Sequence, residues 1–292
     1  MSARAIVVLV LSLIVGVTWV FAVVTKRFEH VLSGVVELEP RSFETLTVIT
    51  VGTGGTFENQ WRLGPSTAVA KGDRVLLVDA GRGIAGALRA AEIPVQQPDT
   101  ILLTSLLPEN TVGLDDLILS GWVTPRAAPL RVMGPRGTRA ALEGLLSGHR
   151  TGVEEMAAEW RAPREGVELL ELTDGAEFEV GELAIRVASL PGGPFPALAY
   201  RIEADGRSVV LASVGFAPEF LVAFARGADL LVHEAVYEAS LAAALEELDV
   251  ERAELLRKEA EIHPKLETIG ALAQEMGVAT LVLTRLRPPP VY

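Results

Sequence analysis

Short apolar runs rich in β-branched residues recur along most of the chain, and they constrain its fold more than any other feature. Each run is bounded by glycine, proline or polar turn residues, which is the pattern of buried β-strands. Nine such runs predict strands at 46–52, 74–80, 99–104, 130–134, 182–189, 197–204, 207–213, 229–234 and 279–285.

Segments with helical character lie between several of these runs. They are found at 84–93, 135–147, 217–227 and 266–277, and the Glu- and Ala-rich stretch 236–260 is predicted as one long helix with a solvated acidic face. A β-rich first half is followed by helices, and the second half repeats this order. The pattern therefore predicts one α/β domain of two similar halves, with two packed sheets and helices outside.

The N-terminus carries a separate signal. Residues 5–24, AIVVLVLSLIVGVTWVFAVV, are uncharged and overwhelmingly apolar, with Arg4 before them and Lys26 and Arg27 after them. Twenty helical residues span roughly 30 Å, the hydrocarbon thickness of a bilayer. A signal peptide and a buried core helix are the alternatives, but no convincing cleavage site is present. The sequence predicts an uncleaved single-pass membrane anchor over 1–27.

The rest of the chain divides into a linker and one domain. Residues 28–45 are predicted to be a linker, and residues 46–292 a folded domain. Positive charge flanks both ends of the apolar stretch, so the orientation is weakly determined. With so short an N-terminus, we expect the folded domain on the extracytoplasmic side of the membrane.

Charge and cysteine content exclude some kinds of site. The formal net charge of −12 argues against a broad phosphate-binding surface, so no nucleic-acid partner is expected. The chain has no cysteine, which excludes disulfides and thiolate metal sites.

Loops at the ends of the predicted strands carry a more specific pattern. It comprises VITVGTGGT (48–56), VLLVDAGRG (75–83), TSLLPENTVGLDDLILSGW (104–122), GPRGTRAALEGLL (134–146), ALAYRIEADGRSVVLAS (197–213), DLLVHEAVYE (229–238) and HPKLETIGALAQEMGVATLVLTRLRP (263–288). In order and spacing the chain resembles the metallo-β-lactamase superfamily, and most closely its ribonuclease Z and arylsulfatase-like branch. The resemblance covers about residues 46–288 and implies an αββα sandwich.

The resemblance also implies a site for two zinc ions at the sheet edges. Active members carry T-H-x-H-x-D-H after the third of the predicted strands, and their two ions activate a shared water and clamp an ester or phosphodiester oxygen. Carried over, this motif falls on Ser105, Leu107, Glu109 and Asn110. A further histidine is expected near Pro191. The expected bridging aspartate falls on Val214, and the last histidine on Arg285.

Only Glu109 keeps a carboxylate at these positions. Leucine and valine offer no lone pair, and Arg285 brings a permanent positive charge to the place of a cation. The sequence therefore predicts that no metal is bound. The leading hypothesis is a membrane-anchored pseudoenzyme with a binding, scaffolding or regulatory role toward a small molecule or a protein. Opposite charges at two former ligand positions further predict a Glu109–Arg285 ion pair.

Three other residues match family positions around the pocket. Asp79 is expected to accept backbone N–H groups in a turn, and His233 and His263 to order loops by hydrogen bonding. For His263 the resemblance alternatively implies a role in proton transfer. Two alternatives stay open. One is a hydrolase of the phosphodiesterase or arylsulfatase type, metal-free or with a relocated site. The other is a structural envelope component with a collapsed pocket. The candidates for the relocated site are Glu109, Asp115, Asp116, His233 and His263.

Overall fold

The computed structural model describes residues 3–33, 38–56, 61–123, 126, 128–160, 167–213 and 218–288. It divides the chain into two compact units, Met1–Glu39 and Pro40–Tyr292. The second unit carries the sheets and the site, and the first consists of the N-terminal helix and the residues after it.

The first unit is built on one helix, α1, which runs from Ala3 to Ser33. Its window Leu11–Phe28 has a mean hydropathy of 1.6 and no buried residue, so it is long and apolar enough to cross a membrane on length and composition alone. The helix continues to Ser33 and the first strand begins at Phe43, so both extend into the range 28–45 that the sequence analysis assigns to a linker. Lysine and arginine are good helix formers, so Lys26 and Arg27 do not end the helix.

The first sheet contains six strands in chain order. β1 to β3 are antiparallel, and β3 to β6 are parallel. Among the described residues of this half, four helices lie between the strands along the chain. The elements are β1 (Phe43–Gly52), β2 (Ser66–Gly72), β3 (Arg74–Val78), α2 (Ile84–Ala90), β4 (Thr100–Leu102), α3 (Pro108–Thr111), α4 (Leu114–Val123), β5 (Arg131–Gly134), α5 (Thr138–Trp160) and β6 (Glu168–Glu171).

The second sheet has the order β12-β11-β10-β9-β8-β7. β7 to β10 are antiparallel, whereas β10, β11 and β12 are parallel. The elements are β7 (Glu177–Val180), β8 (Leu183–Ser189), β9 (Leu198–Ala204), β10 (Arg207–Leu211), α6 (Pro218–Ala225), β11 (Leu230–Val236), α7 (Glu238–Glu247), α8 (Val250–Glu261), α9 (Leu266–Met276) and β12 (Thr280–Arg287).

Alternation along the strands produces three apolar layers. In β3, Leu76 and Val78 enter the core between the two sheets, whereas Val75 and Leu77 enter the core beneath the helices of the first sheet. A third core lies between the second sheet and the helices α6 and α9. Because side chains in a strand point alternately to its two faces, a strand covered on both faces must be apolar throughout. The predicted αββα sandwich is confirmed.

The stretch 236–260 departs from the sequence prediction. It is not one helix, because β11 continues to Val236 and two helices follow, separated at Leu248 and Asp249. The side chain of Asp249 accepts the Arg252 backbone N–H at 2.9 Å and so caps the start of α8.

Candidate functional site

Strand ends from both sheets meet at the site. Asp79 follows β3, Thr104 and Ser105 follow β4, Ser213 follows β10, and Arg285 lies near the end of β12. The carboxyl ends of parallel strands commonly carry functional side chains in α/β proteins. All five residues are buried here.

Asp79 is the centre of the first group of contacts. Its Oδ1 atom accepts the Thr104 backbone N–H at 2.8 Å, and its Oδ2 atom accepts the Thr104 hydroxyl at 2.7 Å. The Arg285 guanidinium forms an ion pair with the same carboxylate. Thr104 also shares a short hydrogen bond with the Ser213 hydroxyl. Asp79 therefore ties together the ends of strands from both sheets.

Burial governs the acidity of Asp79. Removal of the carboxylate from water raises its pKa from 3.8 to about 6, although Arg285 and the hydrogen bonds from Thr104 act in the opposite direction. The ion pair thus recovers only part of the cost of burying the charge.

Arg287 is the centre of the second group. Its side chain is 1% exposed, and it forms an ion pair with Glu109. Its Nη1 atom donates to the Arg285 carbonyl oxygen at 2.9 Å and lies 3.3 Å from Glu234 Oε2. The other carboxylate oxygen of Glu109 accepts the Thr56 hydroxyl at 2.6 Å. Arg287 therefore lies between two acidic side chains, Glu109 on α3 and Glu234 on β11.

Glu234 connects this group to a histidine. Its Oε1 atom lies 2.6 Å from His263 Nδ1, and both side chains are almost fully buried. Burial by itself would raise the pKa of Glu234, but Arg287, His263 and His233 lower it below the ordinary 4.5. Glu234 is therefore held as a carboxylate.

The predicted Glu109–Arg285 pair is wrong in its partners. Arg285 pairs with Asp79, and Glu109 pairs with Arg287. Both predicted residues do lie in the buried charged cluster, but Arg287, two residues farther along β12, takes the predicted role of Arg285. The sequence prediction missed Arg287 and Glu234. A usable signal was the R-L-R run of 285–287, which places a second arginine close to Arg285 at the same strand end.

The loop that follows β4 forms the wall of the site. Ser105 is fully buried and pairs with Ala197 as an isolated antiparallel bridge between the two sheets. Asn110 is also fully buried, and its amide donates to Ser105 Oγ at 2.8 Å and to Thr104 Oγ1 at 3.2 Å. Leu107 packs against the apolar core beneath α6 and α9. The side chains of this loop are thus engaged in neutral hydrogen bonds and an apolar contact.

The other candidates are placed differently. His233 is buried beside the cluster, and its Nδ1–H donates to the Glu234 carbonyl oxygen at 2.8 Å. Burial lowers the pKa of His233, which favours the neutral ring. Asp115 lies on α4, 3.8 Å from His149, and Asp116 is exposed on the same helix, so the structure does not bring these two carboxylates into the cluster. Val214 lies outside the described residues.

The glycine loop after β1 serves close packing of the backbone. A Cβ atom on Gly54 would lie 2.7 Å from the Arg62 carbonyl oxygen, and the Gly54 N–H donates to the Leu63 carbonyl at 2.7 Å. The Arg285 N–H donates to the carbonyl of Thr53 at 3.0 Å. The loop therefore joins β12 to the first sheet, and its glycines need no bound phosphate to explain them.

Polar groups that lack a hydrogen bond concentrate at this site. Among the described residues, the buried side-chain atoms without a hydrogen-bond partner are Asn110 Oδ1, Glu234 Oε2, Thr284 Oγ1 and Arg285 Nε. Glu234 Oε2 lies within ion-pair distance of Arg287 but lacks hydrogen-bond geometry, so this contact is electrostatic only. In the described part of the chain, no three His, Cys, Asp or Glu side chains are grouped so that they could hold a metal ion.

Comparison with known proteins gives a consistent result, although no family model matches the chain. A ribonuclease Z of Mycobacterium sp. (strain KMS) is 32% identical over 250 residues, which cover 84% of this chain and 85% of the relative. A ribonuclease Z of Mycobacterium bovis (strain BCG / Pasteur 1173P2) is 32% identical over 249 residues, covering 83% of this chain and 86% of the relative.

Solved structures agree on the fold. The metallo-β-lactamase fold protein YhfI from Bacillus subtilis superimposes with a TM-score of 0.65 at 19% identity, covering 85% of this chain and 89% of that one. Zn(2+)-bound PqqB from Methylobacterium extorquens gives a TM-score of 0.60 at 18% identity, with coverage of 82% and 88%. Human tRNase Z, short form, gives 0.58 at 18% identity, with coverage of 82% and 92%.

Proposed function

We propose that this chain, which belongs to the ribonuclease Z-like branch of the metallo-β-lactamase superfamily, no longer holds the two-metal site of a hydrolase and acts by binding. The observation that carries the proposal is the position of Arg285. This residue stands where the family resemblance expects the last metal ligand, and its guanidinium is paired with the buried Asp79. A permanent cation in a ligand position repels a metal ion at close range.

The donor set supports the same conclusion. Asp79 and Glu109 are each paired with a guanidinium, and Glu234 contacts both Arg287 and His263. At the expected ligand positions of the first loop, Ser105 and Asn110 hydrogen-bond to one another, and Leu107 packs in a core. A dinuclear zinc site needs deprotonated carboxylates and free imidazoles around each ion. The residues present do not fit such a centre.

The metal content of the protein tests the proposal. The full chain, purified in detergent without chelators, should contain no stoichiometric zinc, manganese or iron by elemental analysis. It should also show no turnover of generic phosphodiester or sulfate ester substrates after incubation with these metals. One or more tightly bound ions per chain would contradict the proposal.

A retained hydrolase activity is the second candidate, because His263 keeps a contact suited to acid–base chemistry. The 2.6 Å contact from His263 Nδ1 to Glu234 is the arrangement in which a carboxylate orients an imidazole. If a metal-free preparation turns over a phosphodiester, His263→Ala should abolish the turnover, and His149→Ala, at a half-exposed position on α5, should not. Turnover with these two responses would favour this candidate over the binding role.

The partners follow from charge and from the N-terminal helix. We infer a single-pass anchor in α1, with the folded unit on the extracytoplasmic side, and a small molecule or a protein as the partner. A structural component of the envelope with a collapsed pocket is a separate alternative, and the packing of Leu107 supports it. The mycobacterial relatives are named ribonucleases, so RNA is the alternative partner that must be tested. With a net charge of −12 we expect no binding of transfer RNA in a filter assay at low salt.

A further inference from the structure

Arg287 joins parts of the chain that are distant in sequence. Its guanidinium contacts Glu109 on α3, Glu234 on β11 and the backbone carbonyl of Arg285. The side chains of Arg287, Glu109 and Glu234 are 1%, 6% and 0% exposed, so the contacts are shielded from water. A guanidinium carries five N–H donors in a fixed planar fork, which suits it to bridging two carboxylates.

The charges of the cluster are almost balanced within the chain. The carboxylates of Asp79, Glu109 and Glu234 face the guanidiniums of Arg285 and Arg287. A buried carboxylate without a counter-charge is strongly unfavourable, so each must be given a cation or a proton. The remaining negative charge lies at Glu234, whose other oxygen is in contact with His263.

We propose that Arg285 and Arg287 are the resident cations of this cluster: they supply the positive charge that its carboxylates require, and Arg287 in particular excludes metal ions from Glu109 and Glu234. The inference rests on the proposed loss of the two-metal site and adds what took its place. Two consequences distinguish it from a simple decay of ligands. Removal of the Arg287 charge should leave an acidic site that attracts a divalent cation, and it should destabilise the fold through the carboxylates left behind.

The experiment compares Arg287→Met with Arg287→Lys in the full chain. Methionine keeps much of the apolar volume but removes the charge, whereas lysine keeps the charge. In EDTA, Arg287→Met should lower Tm by roughly 10 °C, as expected when one partner of a buried ion pair is lost. Mn²⁺ or Zn²⁺, which accept carboxylate and imidazole ligands, should then raise its Tm by roughly 5 °C or more. Neither metal should shift the Tm of the wild type or of Arg287→Lys.

A third variant separates the effect of charge from that of packing. A triple variant combines Arg287→Met with Glu109→Gln and Glu234→Gln, and so removes the cation together with both of its carboxylates. It should be more stable than Arg287→Met, and neither metal should shift its Tm. If Arg287→Met alone fails to fold, a folded triple variant would still show that the unpaired carboxylates are the cause. A triple variant no more stable than Arg287→Met, or a folded Arg287→Met that ignores metals, would overturn the inference. Stoichiometric metal in the wild type would instead overturn the proposed function.

Discussion

Asp79 and Arg285 share a backbone conformation that is rare for residues with side chains. Their φ angles are 63° and 49°, both in the left-handed region. Such conformations cost about 1–3 kcal/mol each and persist only where the surroundings hold them. The two residues lie at strand ends in different sheets, and their side chains form an ion pair. The pair and the two turns therefore support one another.

The acidity of Asp79 gives a prediction with a definite sign. Because the folded pKa is raised to about 6, the folded protein holds this proton more tightly than the unfolded chain. The contribution of Asp79 to stability is full below its ordinary pKa of 3.8 and is lost as pH rises through 6. The destabilisation caused by Asp79→Asn, measured by urea unfolding, should therefore shrink by roughly 2 kcal/mol between about pH 4 and pH 7.

The control for this series is Asp116→Asn, at an exposed position on α4. Its effect on the free energy of unfolding should stay small across the same pH range. A destabilisation by Asp79→Asn that grows with pH would show that the Arg285 pair outweighs burial, contrary to the expectation.

Sequence reasoning found the charged residues of the site better than it found their partners. Glu109 and Arg285 are opposite charges at positions where the family resemblance expects ligands, which was enough to place both in the cluster. Which of Arg285 and Arg287 pairs with Glu109 depends on the three-dimensional positions of the side chains, which the sequence does not give. Glu234 was overlooked because a lone acidic residue after an apolar run looks like the exposed end of a strand.

At the scale of elements, the glycine loop offers a matched pair of substitutions. A Cβ atom on Gly54 would meet backbone oxygens at 2.7 and 2.8 Å, whereas one on Gly55 would lie 3.5 Å from the Arg287 side chain, an ordinary contact. Gly54→Ala should therefore destabilise the protein by roughly 2 kcal/mol or more, since rigid backbone must move. Gly55→Ala should cost less, and equal losses of Tm in the two variants would contradict this account.

The start of α8 gives a prediction of moderate size. Asp249→Ala removes the side chain that caps the Arg252 N–H, and it should cost about 1 kcal/mol in the free energy of unfolding. Asp249→Ser keeps an acceptor at the same position and should retain most of the stability. A loss in Asp249→Ser as large as in Asp249→Ala would mean that the cap is not the cause.

There are physical reasons why some helices and strands were not predicted from the sequence. β2 has the sequence STAVAKG, whose small residues lack the β-branched run that marks the other strands. β6 and β7 contain two glutamates each and lie at the far edges of their sheets, where a strand needs little apolar surface. The break between α7 and α8 depends on a single capping aspartate within a helix-favouring composition.

At the scale of the whole molecule, the division at Glu39 separates the apolar helix from the folded unit. Because Pro40–Tyr292 contains both sheets and all three apolar cores, deletion of residues 1–39 should leave its Tm unchanged within about 2 °C. The shortened chain should appear in the soluble fraction, while the full chain should stay in the membrane pellet after alkaline carbonate extraction. Release of the full chain by carbonate would contradict the anchor.

The loop after β4 has a consequence for how the two halves come apart. The Thr104 carbonyl accepts the Leu198 N–H at 2.8 Å, Ser105 pairs with Ala197, and the Tyr200 hydroxyl donates to the Leu103 carbonyl at 2.6 Å. These bonds join the first sheet to the second through the middle of the domain. Neither half can open without exposing the buried charges behind the loop, so the amides of Thr104 and Leu198 should exchange with deuterium only when the whole unit unfolds. On this expectation the loop after β4 makes the two sheets unfold as one cooperative unit.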